Sequence, residues 1–478
     1  MRQTIAYFTG LDERSGALAG DASAALTAKN VVTDHGRLAS APGPAVVVEQ
    51  GPPGEPTALY VFSDRIGGDT FSYIIVGTKQ GVYAYKDDQW RCLFSGASGG
   101  DWGFLTYQDD DDTLLIFGNG LDPVQLWNGE TPLASALPGA PAKGRFFALH
   151  YERVWMCGDF DTPDRVYYSR VMDVTNWSAD VEIPDRGGGL VELPTFDGGR
   201  VTGLYRVGSD LCVLKSTTAL LVYGASPDSY QVVEMSGSLG TIAGRSAAVA
   251  GLSSYFLTTH GIGVQTGTTL SLLDDRKLPR LFNQSYSLDG DPCQEGLSPA
   301  FGNCAVGIYH NERLYFALPV GQQAKNSLLL EYDLGRQTYM IHTPGAIVAM
   351  ARAGDMREKL YMLTDQGSVL EWGTAPHPGE GDALWCTPWL DFGTSQRKTI
   401  TGFSLYGRLF SREGTPYVRV SIQSDLERRT RVLRPRHGGE ELYRYRLRIK
   451  GRRFQIRLEA QPGTSFCFTG GLEMEVEL

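Results

Sequence analysis

The sequence has no long apolar run. No window approaches the ~20 consecutive apolar residues that a membrane-crossing helix needs. The chain starts with MRQTIAYFTGLDERSG, in which Asp12 and Glu13 stand where the apolar segment of a secretory signal would run. We therefore expect a protein that is made in a cytoplasm and does not insert into a membrane.

Cysteine is scarce, and its spacing argues against two structural devices. The seven cysteines are odd in number, widely scattered and never spaced as C-x-x-C. A disulfide framework and a structural zinc site are therefore not expected. Several cysteines lie inside apolar runs such as VWMCGD and DLCVLK, which predicts that they act as small buried apolar residues.

Signatures of catalysis are absent or weak. The sequence has no phosphate-binding Walker motif, and its seven histidines form no H-x-x-x-H pair. GASGG around Ser98 matches G-x-S-x-G, but the DWGFLTYQ that follows predicts a strand, whereas a nucleophile elbow leads into a helix. The acidic run QDDDDT from Gln108 lacks the spacing of an EF-hand loop and is expected to be a tight turn. We predict no enzyme activity, no cofactor and no metal site.

The composition that remains is that of a folded β protein. Of the 478 residues, 42% are hydrophobic and 21% are charged, which is enough apolar material for a packed core. The 58 glycines and 24 prolines follow no strict period. This mixture is typical of many short strands joined by turns.

One pattern, an apolar strand followed by a polar turn and a second strand, recurs along the chain. The copies are YIIVGTKQGVYAY from Tyr73, TLLIFGNGLDPVQLW from Thr113, RVWMCGDFDTPDRVYYS from Arg153, DLCVLKSTTALLVYG from Asp210, SYFLTTHGIGVQTG from Ser254, RLYFALPVGQQAKNSLLLEYD from Arg313 and KLYMLTDQGSVLEW from Lys359. Their spacing of roughly 40–60 residues suits four-stranded propeller blades, some of them with insertions. We interpret each copy as the middle hairpin of a blade.

The predicted fold class is therefore all-β, with a six- or seven-bladed β-propeller and an additional C-terminal β-sandwich-like domain. A set of unrelated hairpins in separate sandwiches stays open, because the sequence has no WD array, kelch double glycine or Asp-box pattern. The boundaries are residues 1–43 for an N-terminal arm, 44–373 for the propeller and 380–478 for the C-terminal domain. Residues 274–296 are expected to be a surface insertion with one helical turn.

The charge of the chain is unevenly distributed. The formal net charge is −10, yet the window 428–457 has twelve Arg or Lys residues against Glu440 and Glu441. That window is therefore strongly positive, and the rest of the chain is more acidic than the net charge suggests. Such asymmetry indicates a separate role for the C-terminal region.

Within this window, YRYRLRIKGRRFQIRLE predicts strands with one cationic and one apolar face. A two-residue turn at Lys450 and Gly451 would place Arg448 opposite Arg453 and Arg444 opposite Arg457. Like charges that face each other destabilise a sheet, so the pattern predicts an anionic partner. The candidate contact residues are Arg444, Arg446, Arg448, Arg453 and Arg457. The partner could be solvent or acids of this chain, an acidic protein surface, or a DNA backbone contacted without regard to sequence.

Several segments, taken in order, give the chain a family resemblance. They are HGRLASAPG from His35, RVWMCGDFDTPDRVYYSRVMDVTNW from Arg153, DLCVLKSTTALLVYG from Asp210, LLEYDLGRQTYM from Leu329 and the terminal GRRFQIRLEAQPGTSFCFTGGLEMEVEL. Together they resemble the packaged-DNA stabilization, or tail hub (nozzle), proteins of short-tailed bacteriophages. The resemblance spans nearly the whole length.

This resemblance implies a structural protein of the virion tail, assembled in the host bacterial cytoplasm. It implies a homohexameric ring that docks under the portal and adaptor proteins, helps to retain packaged DNA and seats a distal tail needle or fibre. It carries over no active-site residue. The alternatives are a glycan-binding or glycan-cleaving propeller of a tail tip and a scaffold propeller for cellular complexes.

Overall fold

The computed structural model describes residues 2–14, 21–64, 71–109, 112–193, 199–273, 277–282, 296–353, 358–375, 382–411 and 414–477. Five short strands come first: β1 (Arg2–Ile5), β2 (Thr27–Lys29), β3 (Val31–Asp34), β4 (Arg37–Ser40) and β5 (Gly43–Val48). Within the described ranges, no helix has the length and apolar character required to span a bilayer.

The strands that follow form successive four-stranded antiparallel meanders. The first three are β6 (Pro56–Asp64), β7 (Phe71–Thr78), β8 (Gly81–Lys86) and β9 (Gln89–Ser95); β10 (Gly103–Gln108), β11 (Thr113–Gly118), β12 (Gln125–Trp127) and β13 (Ser135–Ala136); and β14 (Phe146–His150), β15 (Arg153–Cys157), β16 (Arg165–Tyr168) and β17 (Gly189–Glu192). The next two are β18 (Val201–Val207), β19 (Asp210–Lys215), β20 (Ala219–Tyr223) and β21 (Gln231–Ser236); and β22 (Ala248–Ala250), β23 (Ser253–Thr258), β24 (Gly261–Thr266) and β25 (Thr269–Leu272).

A single helical turn, α1 (Pro279–Phe282), separates these meanders from the last two. Those are β26 (Val306–His310), β27 (Arg313–Pro319), β28 (Asn326–Asp333) and β29 (Thr338–His342); and β30 (Ile347–Ala353), β31 (Lys359–Thr364) and β32 (Val369–Ala375), completed by β5. Six of the meanders are separate sheets, and β26–β29 belongs to a nine-stranded sheet. The predicted propeller is confirmed, and α1 is the helical turn expected in the insertion, whose residues 274–276 and 283–295 lie outside the described residues.

All seven hairpins found in the sequence are the second and third strands of a blade. YIIVGTKQGVYAY, for example, is β7 and β8, with Ile75 opposite Ala84. These middle strands are continuously apolar because a neighbouring blade covers each of their faces, and β11, β15, β19 and β27 are almost completely buried. The apolar layer between the first two blades, for instance, contains Ile75, Phe117 and Trp127.

The remaining strands form the C-terminal body: β33 (Leu384–Cys386), β34 (Lys398–Ser411), β35 (Val418–Ser424), β36 (Arg428–Leu433), β37 (Glu441–Gly451), β38 (Phe454–Ala460), β39 (Thr464–Phe468) and β40 (Leu472–Glu477). One sheet has the order β1-β40-β34-β39-β4-β3, with β37 also paired to β34. The other continues the blade β26–β29 through β2, β33, β38, β35 and β36. The inner faces of both sheets share one core that includes Trp385, Phe403, Tyr443 and Phe454.

The first 43 residues are not a separate arm in the structure. Strand β2 lies between β29 and β33, while β1 pairs with β40 and β4 pairs with β39. Its strands are only three or four residues long, too short to show a clear alternation of apolar and polar residues in the sequence. It is an integral part of the C-terminal body.

A buried carboxylate inside the blade β26–β29 is the centre of an ion network that touches the last blade. Glu331 is 4% exposed; its carboxylate lies 2.9 Å from Nε2 of His342 and 3.1 Å from Nη1 of Arg313. Burial by itself would raise the pKa of Glu331, but the hydrogen bond with His342 and the charges of His342 and Arg313 outweigh it and lower the pKa. The His342 ring in turn packs edge-on against Trp372 of β32.

We predict that Glu331→Gln lowers the free energy of unfolding at pH 7 by about 3 kcal/mol, because it removes the buried counter-charge of the half-buried Arg313 and the carboxylate partner of the buried His342 ring. The pKa of Glu331 is lower in the folded protein than in the unfolded chain. Its contribution to the free energy of unfolding is therefore present above the unfolded-state pKa and is lost as pH falls through the folded-state pKa. The difference between wild type and variant should therefore shrink in acid. Denaturant unfolding between pH 3 and 8 measures it. Glu55→Gln, which removes an exposed partner of Lys79, is the control and should change stability by less than about 1 kcal/mol.

A second buried carboxylate ties the chain start to α1. Glu13 is 3% exposed, and its Oε2 accepts a hydrogen bond of 2.8 Å from the main-chain N–H of Arg280. Burial raises the pKa of Glu13 to about 7, although that hydrogen bond and the Arg280 charge oppose the shift. The neutral carboxyl is therefore the form that the fold favours.

We predict that Glu13→Gln stabilises the protein at pH 8 by roughly 1–2 kcal/mol and has little effect at pH 5. The folded pKa lies above the unfolded value, so the contribution of Glu13 is complete below the unfolded pKa and is lost as pH rises through 7. Glutamine supplies the neutral shape at every pH. A thermal unfolding midpoint that is lower in the variant than in wild type at pH 8 would contradict this assignment.

Candidate anionic-partner interface

Strand β37 has the two faces that its sequence predicts. Its apolar side chains Tyr443, Leu447 and Ile449 are buried in the shared core of the C-terminal body. Its exposed cations, called the arginine face below, are Arg444, Arg446, Arg448 and Lys450. The period of two that separates them is therefore confirmed in the structure.

The predicted pairing of β37 with β38 is wrong. β37 pairs with β34, so that Arg444 lies opposite Ser404 and Arg446 opposite Gly402. β38 belongs to the other sheet and lies between β33 and β35. Arginines therefore do not face one another across these two strands, and the like-charge repulsion expected from the hairpin is avoided. Alternation alone could not reveal this, because a strand pair in one sheet and a pair in two facing sheets both bury every second residue.

The chain crosses between the sheets at Gly451. A Cβ atom at this position would lie 2.5 Å from Oδ1 of Asp425 and 2.6 Å from Cβ of Ser424, so a side chain would collide with the start of the β35–β36 turn. The N–H of Arg452 donates to Oδ1 of Asp425 at 2.8 Å, and the hydroxyl of Ser424 donates to the carbonyl of Lys450 at 2.8 Å. These bonds replace those that a two-residue hairpin would have made.

The five arginines predicted from sequence are consequently divided between two sheets. Arg444, Arg446 and Arg448 lie on β37, whereas Arg453 immediately precedes β38 and Arg457 is on it. Arg457 is half-buried, is registered opposite Cys386 and Ser421, and lies 3.7 Å from a carboxylate oxygen of Glu459. The structure thus brings three of the five together with Lys450.

The arginine face is only partly neutralised by this chain. Arg444 donates to Oε1 of Glu475 on β40, and this hydrogen bond lowers the pKa of Glu475. Both side chains remain well exposed, at 62% and 41%, so solvent screens the pair. Arg446 and Arg448 are exposed beside it. β40 also exposes Glu473 and Glu477 on the same face, across β34 from β37. Its three carboxylates therefore leave the four cations of the arginine face in excess by one.

Sequence reasoning did not connect β36 with this surface, although its arginines are part of the same basic window. Arg431 donates from Nε and Nη2 to the carbonyl of Arg446 at 3.4 and 3.3 Å, and Tyr445 donates to the carbonyl of Val432 at 3.0 Å. These contacts curl the edge of one sheet toward the other. Arg428 and Arg429 are exposed on the same strand. The charge count along the sequence was the signal, but it gives no spatial order.

Two other motifs noted in the sequence are the G-x-S-x-G match at Ser98 and the acidic run from Gln108. Ser98 lies in the loop between β9 and β10, and its hydroxyl donates to Oδ1 of Asp122 at 2.6 Å. The strand that follows it is β10, as predicted. In the acidic run 108–113, residues 110 and 111 lie outside the described residues. Among the residues that are described, no group of three or more His, Cys, Asp or Glu side chains is placed to hold a metal ion.

Comparisons with known proteins assign no function. No family model matches the chain, and no curated protein sequence matches it. One similar solved structure is the computationally designed Ika8 protein, with 11% identity and a TM-score of 0.39 over 69% of this chain and 100% of that chain. A second is Saccharomyces cerevisiae Sqt1, with 7% identity and a TM-score of 0.42 over 70% of this chain and 100% of that chain. Another is the extracellular domain of the putative one component system BT4673 from B. thetaiotaomicron (11%, 0.43, 83% and 48%), of which the chain spans about half. At such low similarity these structures carry no argument about this protein's partners.

We predict that the arginine face makes this acidic protein bind a heparin matrix at low salt. Replacement of Arg444, Arg446 and Arg448 by Glu should abolish retention at about 0.1 M salt, where charges within about 10 Å still interact. The matched control replaces by Glu three exposed cations on strands or turns of the propeller, Lys79, Arg91 and Arg206. This control should elute with the wild type. Co-elution of the face variant with the wild type would show that the cations are not available to a partner.

Proposed function

We propose that this chain is a structural virion protein of a short-tailed bacteriophage, a tail-hub (nozzle) protein. In this proposal, copies of the chain form a ring, expected to be a hexamer, that docks under the portal and adaptor and helps to retain packaged DNA. The ordered sequence resemblance supports the family. The observation that supports a role in assembly is the arginine face, which is cationic although the chain has a net charge of −10.

The charge asymmetry suits contact between copies. The C-terminal body exposes a row of cations on β37, while the rest of the chain holds the excess of acids. Two different patches of opposite sign attract each other in a head-to-tail manner, and such contacts generate a ring when the rotation between copies closes. Identical patches would instead favour a two-fold dimer.

The C-terminal body also provides strand edges on which a neighbour can act. In the described part of the chain, β37 pairs along its length with β34 alone, and β1 and β3 are the ends of their sheet order. Near one of these edges, Leu442 and Tyr406 are registered opposite each other and are 59% and 42% exposed. Exposed edges are natural sites for a second chain, and charges on them set which chain is accepted.

We predict that the purified protein has a mass of about six times the 52.3 kDa of one chain at about 0.1 M salt, and that it dissociates near 1 M salt because charge attraction is screened. Light scattering after gel filtration measures the mass, and negative-stain images show whether the particles are rings. Replacing Arg444, Arg446 and Arg448 by Glu should give monomers, while the Lys79, Arg91 and Arg206 control should still assemble.

The partners are tested by adding them separately. Binding to a portal–adaptor complex by the ring, and loss of this binding with the arginine-face variant, would support the tail-hub role. Binding to double-stranded DNA without sequence preference would assign the face to the packaged genome. A monomer that binds or cleaves an oligosaccharide would overturn the proposal in favour of a tail-tip glycan protein.

A further inference from the structure

A small pocket lies at the end of the propeller where the first strands of the blades begin. Its wall includes Arg145 and Phe146, Arg200 to Thr202, Gly244 and Arg245, and Asn303, so four successive blades contribute. The loop 158–160 between β15 and β16 completes the wall. The cavity measures about 40 Å³, which is enough for a few water molecules or one small anion.

Three guanidinium groups meet at this pocket. Arg145 and Arg200 each immediately precede the first strand of a blade, β14 and β18, and Arg245 lies in the 3-10 turn Gly244–Ser246 just before β22. All first strands run the same way along the propeller axis, so residues that precede them converge at one end. They are isolated in sequence and are brought together only by closure of the blades.

Glycines allow the neighbouring blades to approach closely at this end. A Cβ atom on Gly103 would lie 1.8 Å from the carbonyl oxygen of Arg145, and one on Gly244 would lie 1.6 Å from that of Thr202. A side chain at either position would force the blades apart. The backbone at the pocket is therefore built for close approach, which keeps the arginines near one another.

The carboxylates at the pocket do not balance this charge. Asp101 lies 2.7 Å from Nη2 of Arg145 and 3.9 Å from Nη2 of Arg245, so one carboxylate serves two guanidinium groups. Asp159 is buried and accepts main-chain N–H groups of its surroundings, those of Asp161 at 2.9 Å and Lys143 at 3.3 Å. Arg200 is held with its guanidinium carbon 5.3 Å from the centre of the Phe160 ring.

Partial burial strengthens the repulsion between two of the three cations, Arg145 and Arg245, whereas Arg200 is exposed. The side chains of Arg145 and Arg245 are each 20% exposed. Burial lowers the pKa of Arg145, and the charges of Arg245 and Arg200 lower it further against the opposing effect of Asp101. Positive charges that are held close together away from solvent create a local field that attracts an anion.

We propose that this pocket binds a small tetrahedral oxyanion with two negative charges, either free phosphate or the phosphate group of a phosphomonoester. Guanidinium groups match the oxygens of such an ion with paired N–H donors, a geometry that a monatomic ion such as chloride cannot use. The cavity is too small for a nucleotide or a sugar within its walls. The site would hold four neighbouring blades together through one ion, independently of the role proposed for the arginine face.

The test is calorimetric titration of the intact protein with inorganic phosphate, and separately with phenyl phosphate, at constant ionic strength set by sodium chloride. Arg200→Gln and Arg145→Gln should each weaken phosphate binding by about tenfold, because each removes a charged hydrogen-bond donor. Asp101→Asn should tighten it by at least about threefold, because it removes a negative charge beside the ion. Arg91→Gln and Asp87→Asn, exposed residues on the first blade, are the matched controls and should leave the affinity unchanged.

Arg200 is exposed, so Arg200→Gln keeps the proposal testable even if Arg145→Gln disturbs folding. Binding of phosphate alone would identify the free ion as the ligand, and binding of both compounds would identify the phosphate group; either result supports the site. The site is refuted if the wild type binds phosphate with a dissociation constant weaker than roughly 10 mM, because such an affinity would not indicate a specific site. It is equally refuted if Arg200→Gln binds as wild type does, or if Asp101→Asn weakens binding.

Discussion

The structure depends on the pairing of the chain's first strands with strands from much later in the sequence. Strand β5 pairs with β32 and so completes the last blade. This blade lies beside the first blade. The other three strands of the last blade come from residues 347–375, so the pairing of β5 joins the two ends of the propeller through main-chain hydrogen bonds. The segment that precedes β5 repeats this principle in the C-terminal body, where β2 joins β29 to β33. The entropy lost in bringing such distant segments together grows only slowly with the length of the loop, so even these long-range pairings are affordable.

One consequence is that the propeller and the C-terminal body are joined by a continuous sheet. β29 is the outer strand of a blade, and beyond β2 the same sheet runs on to β36. The hydrogen bonds of Asn30, whose side-chain amide donates to Thr343 at 3.0 Å and to the carbonyl of Asp382 at 3.2 Å, reinforce the junction. A continuous sheet resists bending more than a peptide linker does. β37 belongs to the other sheet, which packs on this one through the shared core. The position of the arginine face relative to the propeller is therefore set by sheet packing on a rigid extension of one blade.

The sequence predicted the propeller because the middle strands of each blade are buried on both faces. Strands such as β11 and β19 read as apolar runs bounded by glycine or polar turns, and these signals are local. The partner of β37 was missed because the choice between β38 and β34 depends on the sterics at Gly451 and on Asp425 of another turn. The chain start was misassigned because three-residue strands gain their stability from tertiary contacts alone. The pocket arginines could not be grouped, since Arg145 and Arg245 become neighbours only after the blades close.

The two cationic regions differ in how they can use their charge. On β37 the side chains of Arg444 and its neighbours stand in solvent, where salt screens attraction over a Debye length of about 8 Å at physiological ionic strength. Such a surface suits recognition of a large acidic partner, because many weak and long-range contacts add up and steer the encounter. In the pocket at the end of the propeller, Arg145 and Arg245 are mostly enclosed. Their attraction for an anion is therefore short-ranged, stronger and less sensitive to salt. The acidic remainder of the chain keeps these regions distinct, since excess negative charge elsewhere prevents anions from binding over the whole surface. Under the two proposals, the arginine face is thus a broad contact for assembly and the pocket a narrow one for a single small ion.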